Sequence, residues 1–368
     1  MRTEVMLRTY DPSRRVVKWP LAIERGAIPS AARDPKAKGR SMYLPSVRRF
    51  PAASAALLLL LLAVPRPALA QGLPEFGPLN PVAASRSGLY FQPFREPEPG
   101  RWRHAVALDY ASVIEYNPLD QADYVLDSEV LRLSFGASRD LGRRTFLTLS
   151  ASVGGAYAGF LDGVLDWYHA RLGFRMSERD QRPQNGFLYS IVLPDGRALN
   201  RVRQDFFLGD VRAGLGVRIS SQLQTVLSIT IPTSTGRDGY GRGVPSATVL
   251  NTFRAGVTPR LIYEGSAGVG ITPTHGRLAD LQKTAMVALS SGLRHRLWSN
   301  QSLFANLFYH SPYYHDTSLP ALDRRELSLD FGWTLQTASG GEWRVGMTED
   351  LEPGGPGVDL VFRLGRTF

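Results

Sequence analysis

Cysteine is absent from all 368 residues, which excludes disulfide staples, thiolate metal sites and a cysteine nucleophile. Histidine is scarce. His104, His169, His275, His295, His310 and His315 show no HxxxH or HExxH spacing, so neither a helical zinc site nor any other metal or cofactor is expected. Long hydrophobic runs are also missing: the single apolar stretch, between Pro51 and Pro65, falls short of the ~20 residues that a spanning helix needs. The glycine-rich PTSTGRDGYGRG at 232–243 lacks the G-K-[ST] end of a phosphate loop and reads as an external loop.

The formal net charge of +10 suggests an acidic partner until its position is considered. Residues 1–70 hold 13 of the 43 Lys and Arg but only 4 of the 33 Asp and Glu, so the remainder of the chain is close to neutral. A basic face for nucleic acid is therefore not expected. The basic segment has the layout of an export leader: Arg48 and Arg49, an apolar core through Ala63 and Val64, then Ala68-Leu69-Ala70. Cleavage between Ala70 and Gln71 by the Sec export route is expected, with 42–70 as the signal peptide starting at Met42. Residues 1–41, rich in Arg and Pro and without periodicity, read as a gene-model extension or disordered leader. Residues 71–101 are expected to form a periplasmic N-terminal segment, and 102–368 an outer-membrane barrel.

From Trp102 the chain alternates apolar with small or polar residues at period two, in segments of about 9–15 residues, the dyad pattern of membrane-spanning strands. Candidate strands cover 102–116, 127–139, 144–157, 204–219, 222–232, 247–257, 259–272, 282–296, 301–312, 326–338, 341–350 and 357–368. Short connections near 140–143, 220–221, 258–259, 297–300 and 339–340 alternate with long ones over 117–126, 158–203, 233–246, 273–281, 313–325 and 351–356. The expected fold is all-β: a transmembrane antiparallel up-and-down barrel of about twelve strands, with both termini periplasmic and one short helix in a long external loop. A further pairing of 186–193, with another short strand at 88–94, would raise the count to fourteen.

On this register Arg103, Arg132, Arg212, Arg218, Arg254, Arg294, Arg296, Arg344 and Arg363 face the lumen. So do Asp109, Glu115, Asp210, Glu264, Glu326, Asp330, Glu342, Asp350 and Asp359. Equal numbers of each sign pair across a narrow lumen rather than select one ion. Twelve strands also leave less room than the 16–18 of an open porin. A partly occluded channel for small polar solutes, or an envelope structural barrel, is expected. Trp102, Tyr116, Tyr157, Trp298, Tyr309, Tyr313 and Trp343 stand at strand ends, as the aromatic girdles that meet outer-membrane lipid do. The last strand places Leu360, Phe362 and Leu364 on one face and ends at Phe368, the form of signal read by the barrel-assembly machinery; Arg366 departs from it and is expected to reach the headgroups.

FGPLNP at 76–81, FLDGVLDWYH at 160–169, ITIPTSTG at 229–236 and MTEDLEPGGPGVDLVFRLG at 347–365 resemble the domain-of-unknown-function family 3187 of Gram-negative bacteria, over most of 76–368. The resemblance implies an outer-membrane location and no assigned activity.

The alternative to a channel is an outer-membrane lipid-modifying hydrolase. In the 158–203 insertion Leu161, Val164, Leu165 and Tyr168 share a helical face, and Asp162, Asp166 and His169 share its flank, so that Asp166 with His169 could act as a carboxylate–His pair. His310 is the second candidate base, although its neighbour Ser311 points to the opposite face of a strand. The insertion could fill the barrel mouth as a plug or lie on the outer leaflet, and the sequence leaves both open.

Overall fold

The structure, a computed structural model, describes residues 75–368 except 98–99, 119–122, 174–178, 180–181, 237–238, 339 and 353–355. The export leader, Ala70 and Gln71 lie outside the described residues. Of the chain's two units, Met1–Pro51 is likewise outside them, and the described residues all belong to Ala52–Phe368.

The strands are β1 (Trp102–Pro118), β2 (Asp123–Asp140), β3 (Thr145–Tyr157), β4 (Leu188–Val192), β5 (Ala198–Arg201), β6 (Gln204–Leu208), β7 (Val211–Arg218), β8 (Leu223–Ile231), β9 (Ser246–Gly256), β10 (Leu261–Ile271), β11 (Ala285–Arg296), β12 (Gln301–His310), β13 (Glu326–Gln336), β14 (Glu342–Asp350) and β15 (Leu360–Thr367). Twelve of them close a ring of antiparallel neighbours, β1-β2-β3-β7 and onward in sequence to β15, which pairs back onto β1 from Ala105↔Thr367 to Ser112↔Leu360. Closure satisfies the backbone groups of every strand within the ring, which a wall facing hydrocarbon requires.

The twelve-strand expectation holds, with two differences. The predicted strand 204–219 is broken into β6 and β7, both paired with β3, where the register shifts between Gly154 and Ala156. There a side chain at Gly155 would stand 2.3 Å from the Asp205 carbonyl, so the bulge needs glycine. The 186–193 segment does pair: β4 adds to β2 beyond the end of β3 and carries β5 with it, outside the ring. The 88–94 segment joins no strand; its one bridge is Phe91↔Phe76.

Leu108, Phe135, Leu149, Leu215, Leu227, Ile229, Val269, Leu289, Val345 and Leu364 point outward and are exposed, while charged residues are buried within. This inversion of a soluble protein is the surface of a membrane-spanning barrel. No helix among the described residues is long and apolar enough to cross a membrane. Phe368 N–H donates to the His104 carbonyl, so the chain end lies beside the start of β1. The brief connections 141–144, 219–222, 257–260, 297–300 and 337–341 share that end. The opposite end carries 158–203, 232–245, 272–284, 311–325 and 351–359. The expected loop 117–126 is shorter because β1 and β2 continue to the pair Pro118↔Asp123. That part of β2 is paired on its other side by β4, so its ladder persists where the apolar alternation has ended.

Candidate functional site: an occupied bore

The barrel is filled by its own chain. Residues 75–97 lie inside, which corrects the expectation of a periplasmic segment over 71–101. Asn80 starts a short helix, α1 (Pro81–Arg86), by accepting from Val82 N–H at 2.9 Å, with Pro81 at its first position. Around this turn the chain runs up the bore and back, its two limbs joined by the Phe76–Phe91 bridge. Phe76 and Phe91 both stack on Phe308 of β12, at 5.3 and 4.2 Å.

What anchors this segment is the inward set of arginines and hydroxyls. Arg132 donates to the carbonyls of Pro78 and Gly77, each at 3.0 Å, and Arg363 to that of Glu75 at 2.8 Å. Arg212 reaches the Glu75 carboxylate at 2.7 Å and the Gly88 carbonyl at 3.3 Å, and lies over Tyr90. Thr248 donates to Gly88, Thr252 to Gln92 and Arg218 to Arg95, all to carbonyls. Near the start of β1, Arg103 donates to the Glu96 carbonyl and Arg254 pairs with its carboxylate at 3.4 Å. A segment with little secondary structure thereby has its backbone acceptors satisfied away from water.

The wall charges also pair with one another, several of the same arginines serving both the segment and the wall. Asp109, fully buried, lies 3.2 Å from Arg132 and 3.3 Å from Arg363. Glu264 lies 3.4 Å from Arg254 and 3.5 Å from Arg294, Arg294 donates to Glu342 at 3.0 Å, and Arg344 bonds Asp330. Asp210 holds Arg242 at 3.2 Å, and burial pushes that guanidinium down to about 10 despite the carboxylate. Two residues depart from the predicted lumen set. Arg296 donates to the Pro259 carbonyl at the short-turn end, and Asp359 lies on the outer side of the wall because it precedes β15, where alternation begins.

Between segment and wall lie cavities of about 110 Å³, beside Arg132 and Arg212, and about 60 Å³, beside Phe91 and Arg294. At the long-loop mouth a vestibule of about 410 Å³ opens among Arg86, Arg201, His275, Arg277 and Tyr314, with no carboxylate among the described residues of its lining. Arg86 is its floor. The guanidinium donates to the carbonyls of Pro273 (3.0 Å), Lys283 (3.1 Å) and Thr272 (3.3 Å), and burial lowers its pKa.

The helical part of the insertion lies outside the bore, whereas β4 and β5 close over the long-loop mouth, where Tyr189, Ile191 and Leu199 pack with Leu79 and Val82 and Arg201 lines the vestibule. The helix α2 (Asp162–Leu172) lays Leu161 and Leu165 against Tyr110, Met347 and Leu360 on the outer face of the wall. Val164 does not share that face, as the helical spacing had suggested; with Phe160 and Trp167 it points away from the barrel and is exposed. The predicted Asp166–His169 pair does not form. Asp166 accepts from Gln184 at 3.0 Å, and His169 instead faces Glu349 and Asp359. His310 is buried edge-on against Phe91, 5.1 Å between centroids, and its Nδ1 has no hydrogen-bond partner among the described residues. Tyr313, expected in a girdle, is fully buried and donates to Glu326 at 3.1 Å. Trp102 and Trp298 are exposed at the short-turn end. Phe362, Leu364 and Phe368 are exposed, Leu360 is covered by α2, and Arg366 lies between the rings of Trp343 and Phe368 at 4.6 and 4.4 Å.

Residues 52–368 match the model of a family described as proteins of unknown function, DUF3187. The chain belongs to this family. No curated protein matches it in sequence. Among solved structures it is similar to a COG4313 outer membrane channel from Pseudomonas putida F1, at 11% identity over 74% of this chain and 96% of that one, with a TM-score of 0.48. It is also similar to a FadL homologue of Pseudomonas aeruginosa (10% identity, 82% and 99% covered, TM-score 0.37) and to the translocator domain of the autotransporter NalP from Neisseria meningitidis (11%, 74% and 89%, TM-score 0.39). At such identities and TM-scores these likenesses assign no function to the chain.

Proposed function

We propose that this barrel spans the outer membrane as a channel for small polar solutes, closed at rest by its own N-terminal segment. The observation that carries the reading is the position of residues 75–97, which fill the bore beside cavities of about 110 and 60 Å³, each with room for a few waters. The contacts that hold the segment are mostly arginine and threonine hydrogen bonds to carbonyls, each worth about 1–3 kcal/mol net, so they can be exchanged one at a time for water or solute. A permanently filled structural barrel would be better served by an apolar core. The basic vestibule favours anions among the solutes that approach.

Planar-bilayer recording tests this. The full-length barrel should show rare, small openings, and a chain lacking 75–97 a steady larger conductance with preference for anions. If the deleted chain still shows the heat-modifiable gel shift of a folded barrel and yet stays silent, the bore is not a pathway and the structural-barrel reading replaces it.

A further inference from the structure

His169 sits on the inner side of α2, and the docking of Leu161 and Leu165 brings its ring against the outer wall. Nε2 comes to 3.6 Å from Glu349 Oε1, on β14, and 3.7 Å from Asp359 Oδ1, just ahead of β15. The three ligand atoms all lie within 4.8 Å of one another. These separations are longer than hydrogen bonds, but two atoms bound at about 2.1 Å to a tetrahedral ion stand roughly 3.4 Å apart.

Charge and burial point the same way. Asp162 and Asp359 converge here on one guanidinium, Arg179, which donates to Asp162 at 2.7 Å, to Ser112 at 2.8 Å and to Asp359 Oδ2, while Glu349 faces His169. The nearby carboxylates are otherwise engaged, Asp127 by Arg182 at 3.0 Å and Glu129 by Tyr110 and the Leu161 amide. His169 is only 4% exposed with its Nδ1 unpartnered, and Glu349 Oε2 is buried without a hydrogen bond. Among the described residues the carboxylates of Asp162, Glu349 and Asp359 outnumber the one guanidinium, and the buried imidazole beside them keeps an unpartnered Nδ1, an arrangement that a cation would complete.

We propose that His169, Glu349 and Asp359 bind a transition-metal ion of the zinc class, which fastens the insertion to the barrel wall. An imidazole with two carboxylates suits zinc, whereas magnesium and calcium prefer oxygen alone. Arg179 orients Asp359 by holding its other oxygen, leaving Oδ1 for the ion. The fourth position is open to water.

The test uses the full-length barrel in detergent, stripped with chelator and titrated with zinc chloride. One zinc per chain should be retained through desalting, and zinc should slow tryptic cleavage after Arg171. His169→Ala and Glu349→Gln should each weaken binding at least about tenfold and abolish the protection. The second variant keeps the side-chain volume, and the heat-modifiable shift of both reports an intact barrel. No retained zinc, equal retention by both variants, or preference for calcium over zinc overturns the proposal.

Discussion

Arg132 serves two structures with one guanidinium: it neutralises Asp109 on the adjacent strand and donates to two carbonyls of the enclosed segment. Asp109 in turn lies between Arg132 and Arg363 with no exposure to solvent. Removing one partner of such a buried set leaves charge uncompensated, which typically costs about 3–5 kcal/mol, whereas exchanging a paired set for apolar residues often costs little. Asp109→Ala should therefore destabilise the barrel by about that amount and Asp109→Asn by less, since the amide still offers Arg132 an acceptor. Urea titration of tryptophan fluorescence in lipid vesicles measures both. Equal stability of Asp109→Ala and the unaltered chain would show that the arginines find other partners, the Gly77, Pro78 and Glu75 carbonyls being the nearest.

At the scale of elements, the seat of the N-terminal segment depends on close approach. A side chain at Gly88 would stand 2.8 Å from Ser246 Cβ and 2.3 Å from its Oγ, so the descending limb touches β9 only because residue 88 is glycine. Gly88→Val should displace the limb, raise conductance toward that of the deleted chain and expose Arg86 and Arg95 to trypsin, leaving the heat-modifiable shift unchanged. An unaltered conductance would mean that the segment closes the bore without this contact. The barrel strands were legible in the sequence because their two environments alternate residue by residue. Val345, Met347 and Glu349 face out, and Arg344 and Thr348 face in. The segment was not legible, because it meets wall on every side and so has no period: Phe76, Leu79, Val82, Leu89, Phe91 and Phe94 follow no helical or strand spacing. Its only local signal is the Asn80-Pro81 helix start. The His169 cluster was hidden for another reason. Its members belong to α2, β14 and the approach to β15, and only docking of the insertion on the closed wall brings them together.

For the whole molecule, the architecture fixes which features share an end before it fixes which end faces the cell. Phe368 joins His104, so the N-terminal side of β1, the chain terminus and the five short turns lie together, and the vestibule lies opposite among the long loops. In bacterial outer-membrane barrels the short turns stay in the periplasm while the long loops cross, and we propose the same orientation here. Exposed Trp102 and Trp298 would then lie at the periplasmic headgroups, and Phe160, just ahead of α2, with Val164 and Trp167 of α2 at the outer leaflet. The absence of native cysteine makes the orientation directly measurable, since any introduced thiol is the only one. Thr274→Cys, exposed in the 272–284 loop, and Ser299→Cys, exposed in the 297–300 turn, place single thiols at opposite ends. A membrane-impermeant maleimide added to intact cells should label Thr274→Cys and spare Ser299→Cys, and both should react after lysis. The reverse pattern would put the vestibule in the periplasm, so that solutes would meet the basic mouth from inside the cell.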